Sequence, residues 1–304
     1  SLPLEAKVRM TEARIKAWHE HWGGDVYISF SGGKDSTVLK HIADSLYPSI
    51  PSVFVNTGLE YPEVRSFALR QKNVIRLDPA MRFYDVIEKY GYPVVSKEQS
   101  QFLYEARTTK SEKLLGIRLN GNRWGKGKIS EKWKFLIDAP FKISNKCCDV
   151  MKKAPVKKYE RETGNKAIVG TMADESFLRR SSWLRYGCNA FTRSRPISQP
   201  MSFWTEQDVL RYVVENKLEI ASVYGEVKEN EDGLLELTGL QRTGCMFCMY
   251  GIDKDPIPNR FQRMTRTHPQ QYRYCMEQLG LREVLTFMNI PFRGTKVGQH
   301  HGNC

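Results

Sequence analysis

Residues 26–42 read VYISFSGGKDSTVLKHI. The opening VYISF is rich in aromatic and β-branched residues and has the composition of a buried strand. It stops at Ser31. Two glycines, a lysine, an aspartate and a serine follow, and from Thr37 to Leu46 apolar residues recur at helical spacing. A strand, a glycine turn and a helix in that order aim backbone N–H groups and the positive end of a helix dipole at one point, which suits an anion. Gly32 and Gly33 are read as positions of positive φ where phosphate oxygens approach the backbone. Lys34 adds a point charge, and Ser31 and Ser36 add hydroxyls. The turn is not a Walker A loop, because Asp35 rather than Ser or Thr follows Gly-Lys, and it is not G-x-G-x-x-G. An aspartate beside phosphates calls for a cation between them. Mg2+ bridging Asp35 and phosphate is one reading, and an Asp35 that caps the helix is the other.

Working outward, Leu4 to Trp22 has helical spacing and ends at Gly23-Gly24. Ser52–Asn56 and Asn73–Asp78 read as strands, each followed by a helical stretch. This β-α-β-α-β-α alternation predicts an α/β fold, a parallel twisted sheet with helices on both faces. The alternation stops at Lys97. Residues 97–142 carry eleven Lys/Arg against five Asp/Glu, with Phe102, Tyr104, Trp124, Trp133 and Phe135 interleaved. Within them RLNGNRWGKGKISEKWK reads as a mobile loop. The lysines could track a nucleic-acid backbone while Trp124 or Trp133 stacks on a base, or the segment could be a solvated lid with its tryptophans in the core. A basic helix, a strand at Lys166–Gly170 and a helix whose Thr205 suits an N-cap follow. The expected organisation is an N-terminal helix (1–24), a nucleotide domain (25–216) with a basic insertion at about 97–142, and a small cysteine-containing C-terminal subdomain (217–304).

The 304 residues carry a net charge of +13, which favours polyanionic partners, nucleic acid first among them. No run of about 18 apolar residues suggests a membrane span. The expectation is a soluble, cytoplasmic protein that does not enter the membrane.

Seven cysteines are present, four of them paired in sequence: Cys147-Cys148, and Cys245 with Cys248 in a Cys-x-x-Cys. A Cys-x-x-Cys turn converges two thiolates on one metal, and two further thiolates complete a tetrahedral or cubane site. Lys146, Lys152, Lys153 and Arg242 would favour the thiolates. Zinc and plain structural cysteines are the other readings of the quartet. Cys188 and Cys275 read as core thiols, and Cys304 as a terminal residue.

SGGKDS after a strand resembles the PP-loop of the N-type ATP pyrophosphatases. FVNTGLEYPEV resembles that superfamily's Asp-Thr-Gly-x-x-aromatic-Pro-Glu segment, with Asn56 at the Asp position and Thr57 and Gly58 after it. GTMADESFLRR resembles its Gly-x-Arg-x-x-Glu-Ser-x-x-Arg segment. Glu175, Ser176 and Arg179 match, and Met172 replaces the first arginine. Cys-Cys, a gap of 96 residues, then Cys-x-x-Cys resembles the [4Fe-4S] pattern of the phosphoadenosine phosphosulfate (PAPS) reductase superfamily.

The resemblance implies an adenine nucleotide alpha-hydrolase-like, Rossmann-like fold. It implies ATP and Mg2+ bound by Ser31, Gly32, Gly33, Lys34, Asp35, Ser36, Asn56, Thr57, Gly58, Glu175, Ser176 and Arg179. Lys34 and Asp35 would be catalytic, and a [4Fe-4S] cluster would sit on Cys147, Cys148, Cys245 and Cys248.

The reductases resemble one another in a diverged loop and a C-terminal Glu-Cys-Gly-Leu-His. This chain keeps the full loop and lacks that motif. It is therefore closer in character to the DndC and SspD proteins of DNA phosphorothioation and to nucleic-acid thiolases. The implied reaction is adenylation of a substrate with pyrophosphate release, for sulfur incorporation into DNA or RNA. A sulfur donor such as a cysteine desulfurase and a homodimer are further expectations. The alternatives are reduction of PAPS or adenylyl sulfate to sulfite, and a metal-stabilised nucleic-acid-binding module without catalysis.

Overall fold

The structure is a computed structural model that describes residues 2–294; Cys304 lies outside them. Along the chain run α1 (Leu4–His21), β1 (Val26–Ser29), α2 (Lys34–Leu46), β2 (Ser52–Val55), α3 (Pro62–Arg70), β3 (Val74–Leu77), α4 (Phe83–Tyr90), β4 (Val94–Val95), α5 (Lys97–Thr108) and α6 (Glu112–Asn120). After two irregular turns come α7 (Ala154–Thr163), β5 (Lys166–Val169), α8 (Phe177–Tyr186), β6 (Asn189–Ala190), β7 (Ile197–Ser198) and α9 (Glu206–Glu215). Last come β8 (Val227–Glu229), β9 (Leu235–Leu237), β10 (Met249–Tyr250), α10 (Arg260–Thr267), α11 (Pro269–Arg273) and α12 (Leu281–Phe287). Among the described residues no helix is long and apolar enough to cross a membrane.

The chain forms two compact units, each discontinuous in sequence. The first comprises residues 1–80 and 152–245, the second 81–151 and 246–304. This differs from the expected contiguous pieces. The N-terminal helix belongs to the first unit. The basic stretch 97–142 lies between the two pieces of the first unit and clusters, in the second unit, with residues from 246 onward.

The first unit holds a six-stranded sheet of order β3-β2-β1-β5-β7-β6, parallel except for the β6–β7 pair. β1 lies at its centre, with Ile28 opposite Ser52 of β2 and Ile168 of β5. Val26, Tyr27 and Ile28 are all buried, as a strand covered by helices on both faces requires. The chain leaves β1 toward β2 and β3 on one side and returns through β5 on the other. The crevice past the carboxyl ends of β1, β2 and β5 is therefore the topological switch point, where open α/β sheets bind ligands.

α1 is tied to α9. The Lys7 ammonium donates to Asp208 Oδ2 at 2.5 Å, and the indole of Trp204 donates to Thr11 Oγ1 at 2.9 Å. Thr205 caps α9 as read: its hydroxyl accepts the Asp208 N–H, and Asp208 accepts from the Thr205 N–H. Burial alone would raise the Asp208 carboxyl, but Lys7 and Thr205 outweigh it and hold it below the usual carboxylate range. The sign follows. The unfolded carboxyl titrates near ~3.9, and the folded one lower. The pair therefore stabilises the fold above that pH, and the stabilisation fades as pH falls through the folded value. Asp208→Asn is expected to cost about 2 kcal/mol at pH 7 and clearly less at pH 3, measured by urea unfolding. An equal loss at both pH values would refute this account.

In the second unit β4 and β10 pair in parallel, Val94 opposite Met249 and Val95 opposite Tyr250. The stretch 118–134 is regular at its two ends and a loop between them. Its first residues end α6, and Glu131 starts a 3-10 turn. Between them Asn122 Oδ1 accepts the N–H groups of Trp124 and Lys126, Arg118 donates to Gly127 O, and Ile129 is fully buried. The loop is closed by an asparagine side chain and anchored by the isoleucine. Trp133 is buried and cannot stack on a base, whereas Trp124 is 66% exposed with the Arg123 guanidinium 3.8 Å from its ring centre.

Candidate nucleotide site

The SGGKDS turn lies at the carboxyl end of β1 and opens α2. Only Gly32 has positive φ, at +72°; Gly33 is extended at φ −78°, so the reading of both as left-handed is corrected. Gly32 is needed twice over, since a Cβ there would lie 2.9 Å from Val64 O. At Gly33 a Cβ would lie 3.2 Å from Ser31 Oγ and from Tyr224 Oη, so these hydroxyls would have to shift by a few tenths of an ångström. The two serines close the turn. Ser31 Oγ and Ser36 Oγ are 3.0 Å apart, Ser36 Oγ accepts the Ser31 N–H, and it donates to Gly33 O. Gly33 occupies the N-cap of α2 without a side-chain cap, so Asp35 sits in the first turn and is not the cap.

Lys34 is only 3% exposed. Its ammonium lies 3.1 Å from Glu206 Oε1, 3.2 Å from Gln241 O and 3.5 Å from Asp35 Oδ1. Those two carboxylate oxygens are buried and accept no well-formed hydrogen bond, so the lysine charge is what balances them. Burial pushes Asp35 above the usual carboxylate range; Lys34 and Arg242 oppose this, and Glu206 adds to it. The Lys34 N–H, at the start of α2, donates to Tyr224 Oη at 3.3 Å, and that hydroxyl is 2.6 Å from Thr243 Oγ1.

Two cavities meet at Ser31 and Thr243. One, of about 110 Å³, is bounded by Ser31, Gly33, Lys34, Asp35, Met172, Glu175, Glu206, Tyr224, Arg242 and Thr243. Its lining has two cations, Lys34 and Arg242, against three carboxylates, Asp35, Glu175 and Glu206. A phosphate suits such a lining only together with a divalent cation, and the under-satisfied oxygens of Asp35 and Glu206 fit one. The other cavity, of about 180 Å³, is largely apolar. It is formed by Phe30, Val53, Phe54, Val55, Val64 and Val156, with Glu60 and Lys152 among the polar residues at its edge.

The remaining nucleotide candidates divide. Glu175 lines the smaller cavity, accepts the Met172 N–H at 2.8 Å and pairs with Arg179. Ser176 caps α8 by accepting the Arg179 N–H. Asn56, Thr57 and Gly58 line neither cavity. Asn56 bridges Arg65 and Asp78, donating to the carboxylate at 2.6 Å and accepting from the guanidinium at 2.6 Å. Thr57 donates to Glu60 at 2.6 Å. Tyr224, Thr243 and Glu206 escaped the sequence reading as site residues, and Arg242 was assigned only to the cysteines. No short motif flags them, because 170 or more residues separate them from the loop they complete.

Of the cysteine quartet, Cys147 is buried and Cys148, Cys245 and Cys248 are half-buried. Cys147, Cys148 and Cys248 belong to the second unit, and Cys245 is the last residue of the first. In the second unit Tyr250 Oη is buried near Ser100. Burial, and then negative charge on the neighbouring Cys148, Cys248 and Cys147 sulfurs, raise its pKa, against a hydrogen bond with Ser100. Among the described residues no three His, Cys, Asp or Glu side chains form a ready metal cage. The donor chemistry, three cysteine sulfurs beside a buried tyrosine hydroxyl, is that of a thiolate-held cluster whose sulfur atoms accept hydrogen bonds. Cys275 is fully buried, and burial pushes its thiol up to about 12. Burial also raises the half-buried Cys188.

The phosphoadenosine phosphosulfate reductase domain model matches residues 25–119 and 121–250. An uncharacterized protein of Methanocaldococcus jannaschii is 22% identical over 263 residues, 83% of this chain; the chain spans 46% of that relative's length. Among solved structures, the PAPS reductase of Candida auris in a phosphate complex is 14% identical with a TM-score of 0.39, covering 73% of this chain and 91% of its own. The U34-tRNA thiolase NcsA of Methanococcus maripaludis with its [4Fe-4S] cluster is 13% identical with a TM-score of 0.37, covering 98% and 86%.

Proposed function

The chain belongs to the phosphoadenosine phosphosulfate reductase domain family, within the PP-loop ATP pyrophosphatase superfamily, and from that premise we propose that it adenylates an acceptor with ATP and so prepares it for sulfur insertion into nucleic acid. The observation that carries this reading is the complete SGGKDS turn with buried Lys34 facing the smaller cavity. The pyrophosphate end of ATP would lie there, and the nucleoside in the adjoining apolar cavity.

Asp35, with Glu206, would hold Mg2+ against the phosphates. An acceptor oxygen attacks the α-phosphorus, the bond from that phosphorus to the bridging oxygen breaks, and pyrophosphate leaves with the electron pair. Lys34, Arg242 and the N–H groups opening α2 face the charge that grows on the leaving group. Tyr224 Oη now takes the Lys34 N–H and must yield it to a phosphate oxygen. A sulfur nucleophile from a donor then displaces AMP from the activated acceptor. Cys147, Cys148, Cys245 and Cys248 would hold the [4Fe-4S] cluster, which when bound supplies a place to take up or pass on sulfur and electrons.

Anaerobically prepared protein is expected to be brown, with about four irons per chain, and to release pyrophosphate from ATP faster when DNA or RNA is added. Zinc in place of iron would remove the cluster from this reading. Absence of ATP turnover with every nucleic acid tried would remove the adenylation. The family match itself favours a second reading, reduction of PAPS or adenylyl sulfate. Its mark would be sulfite release with thioredoxin and no consumption of ATP.

A further inference from the structure

Helix α8 buries none of its ten residues. Phe177 is 82% exposed, Leu178 79% and Leu184 73%. Single exposed apolar side chains are ordinary, but three on one short helix mark a contact surface. The same stretch is cationic. Residues 177–205 contain five arginines and no aspartate or glutamate; Arg179 and Arg195 pair with Glu175 and Glu160, and Arg180, Arg185 and Arg193 have no carboxylate partner among the described ion pairs. The exposed Tyr186 ring has the Arg185 guanidinium 5.2 Å and the Arg193 guanidinium 4.8 Å from its centre. α8 starts beside the phosphate-side cavity: Glu175 lines that cavity, Ser176 caps the helix, and Arg179 reaches back to Glu175.

Charge decides the occupant. A second copy of this surface would set arginines against arginines, whereas a polyanion neutralises them. Flat exposed rings with guanidinium groups are what unpaired bases stack on, and a duplex hides those base faces. We propose that α8 and the turn to Arg193 bind a single-stranded nucleic acid. Bases stack on Phe177 and Tyr186, the backbone lies on Arg180, Arg185 and Arg193, and the acceptor atom is thereby presented to the neighbouring cavity. This rests on the reading of that cavity as the ATP site.

The test is anisotropy of a labelled single-stranded oligonucleotide across a salt series, with the purified full chain. Arg180→Glu with Arg185→Glu is expected to weaken binding about 100-fold and to flatten the log–log salt dependence by about 1.4, the share of two phosphate contacts on a single strand. Phe177→Ser is expected to weaken it about 10-fold with the slope unchanged. Binding of a non-hydrolysable ATP analogue should be the same in all variants. Unchanged oligonucleotide affinity in the variants overturns the proposal, as does equal binding of a duplex. So does loss of self-association by the variants in sedimentation velocity with oligonucleotide affinity intact. Failure of the wild-type protein to bind the ATP analogue, while the oligonucleotide results hold, overturns the ATP reading and leaves the surface standing.

Discussion

On the proposed reading of the site, Lys34→Ala is expected to lower pyrophosphate release from ATP by about 10²–10³-fold. The ammonium is buried and is the only cation within 4 Å of both Asp35 and Glu206 among the described ion pairs. Its removal deletes the charge that would face the phosphates in the proposed function and also leaves two buried carboxylates uncompensated, a loss of about 3–5 kcal/mol if both stay ionised. Asp35 has an escape, because burial already makes its protonation easier. Activity should therefore fall far more than stability. Retention of more than a tenth of wild-type pyrophosphate release by a folded Lys34→Ala protein would show that Lys34 pairs structural carboxylates and does no catalysis.

The second large effect is on the fold. Trp204→Ala is expected to cost about 3–5 kcal/mol in urea unfolding. Trp204 is 1% exposed, sits edge-on to Tyr212 with ring centres 5.9 Å apart, and donates to Thr11 of α1. It immediately precedes the Thr205–Asp208 box that starts α9, and α9 carries Glu206 to Lys34. Trp204→Phe keeps most of the apolar volume and should cost only about 1–2 kcal/mol, chiefly the hydrogen bond to Thr11. Similar losses in the two variants would mean that the hydrogen bond, not the packing, anchors α9.

The parts of the site legible in sequence are those made by neighbours in the chain. VYISF followed by SGGKDS becomes a strand, a turn and a helix because burial, glycine and capping act within about ten residues. The Thr205 cap was legible for the same reason. Tyr224, Arg242, Thr243 and Glu206 were not, because nothing in their local sequence refers to residue 34. Asn56 illustrates the converse. Its motif placed it with the nucleotide residues, but the Arg65 guanidinium and the Asp78 carboxylate, brought together by α3 and β3, take both ends of its amide. Trp124 and Trp133 were equivalent in sequence, and only packing separated the exposed ring from the buried one.

The amino-acid sequence by itself determined the parallel α/β core and the glycine turn at the end of its central strand, since both rest on local periodicity and short-range spacing, and its motifs sufficed to point to the family. The tertiary structure decided which glycine is left-handed, what surrounds Lys34, and that the basic stretch joins the C-terminal residues in a second unit. Those outcomes depend on contacts between segments far apart in sequence, whose burial and charge balance are settled only when the chain is closed.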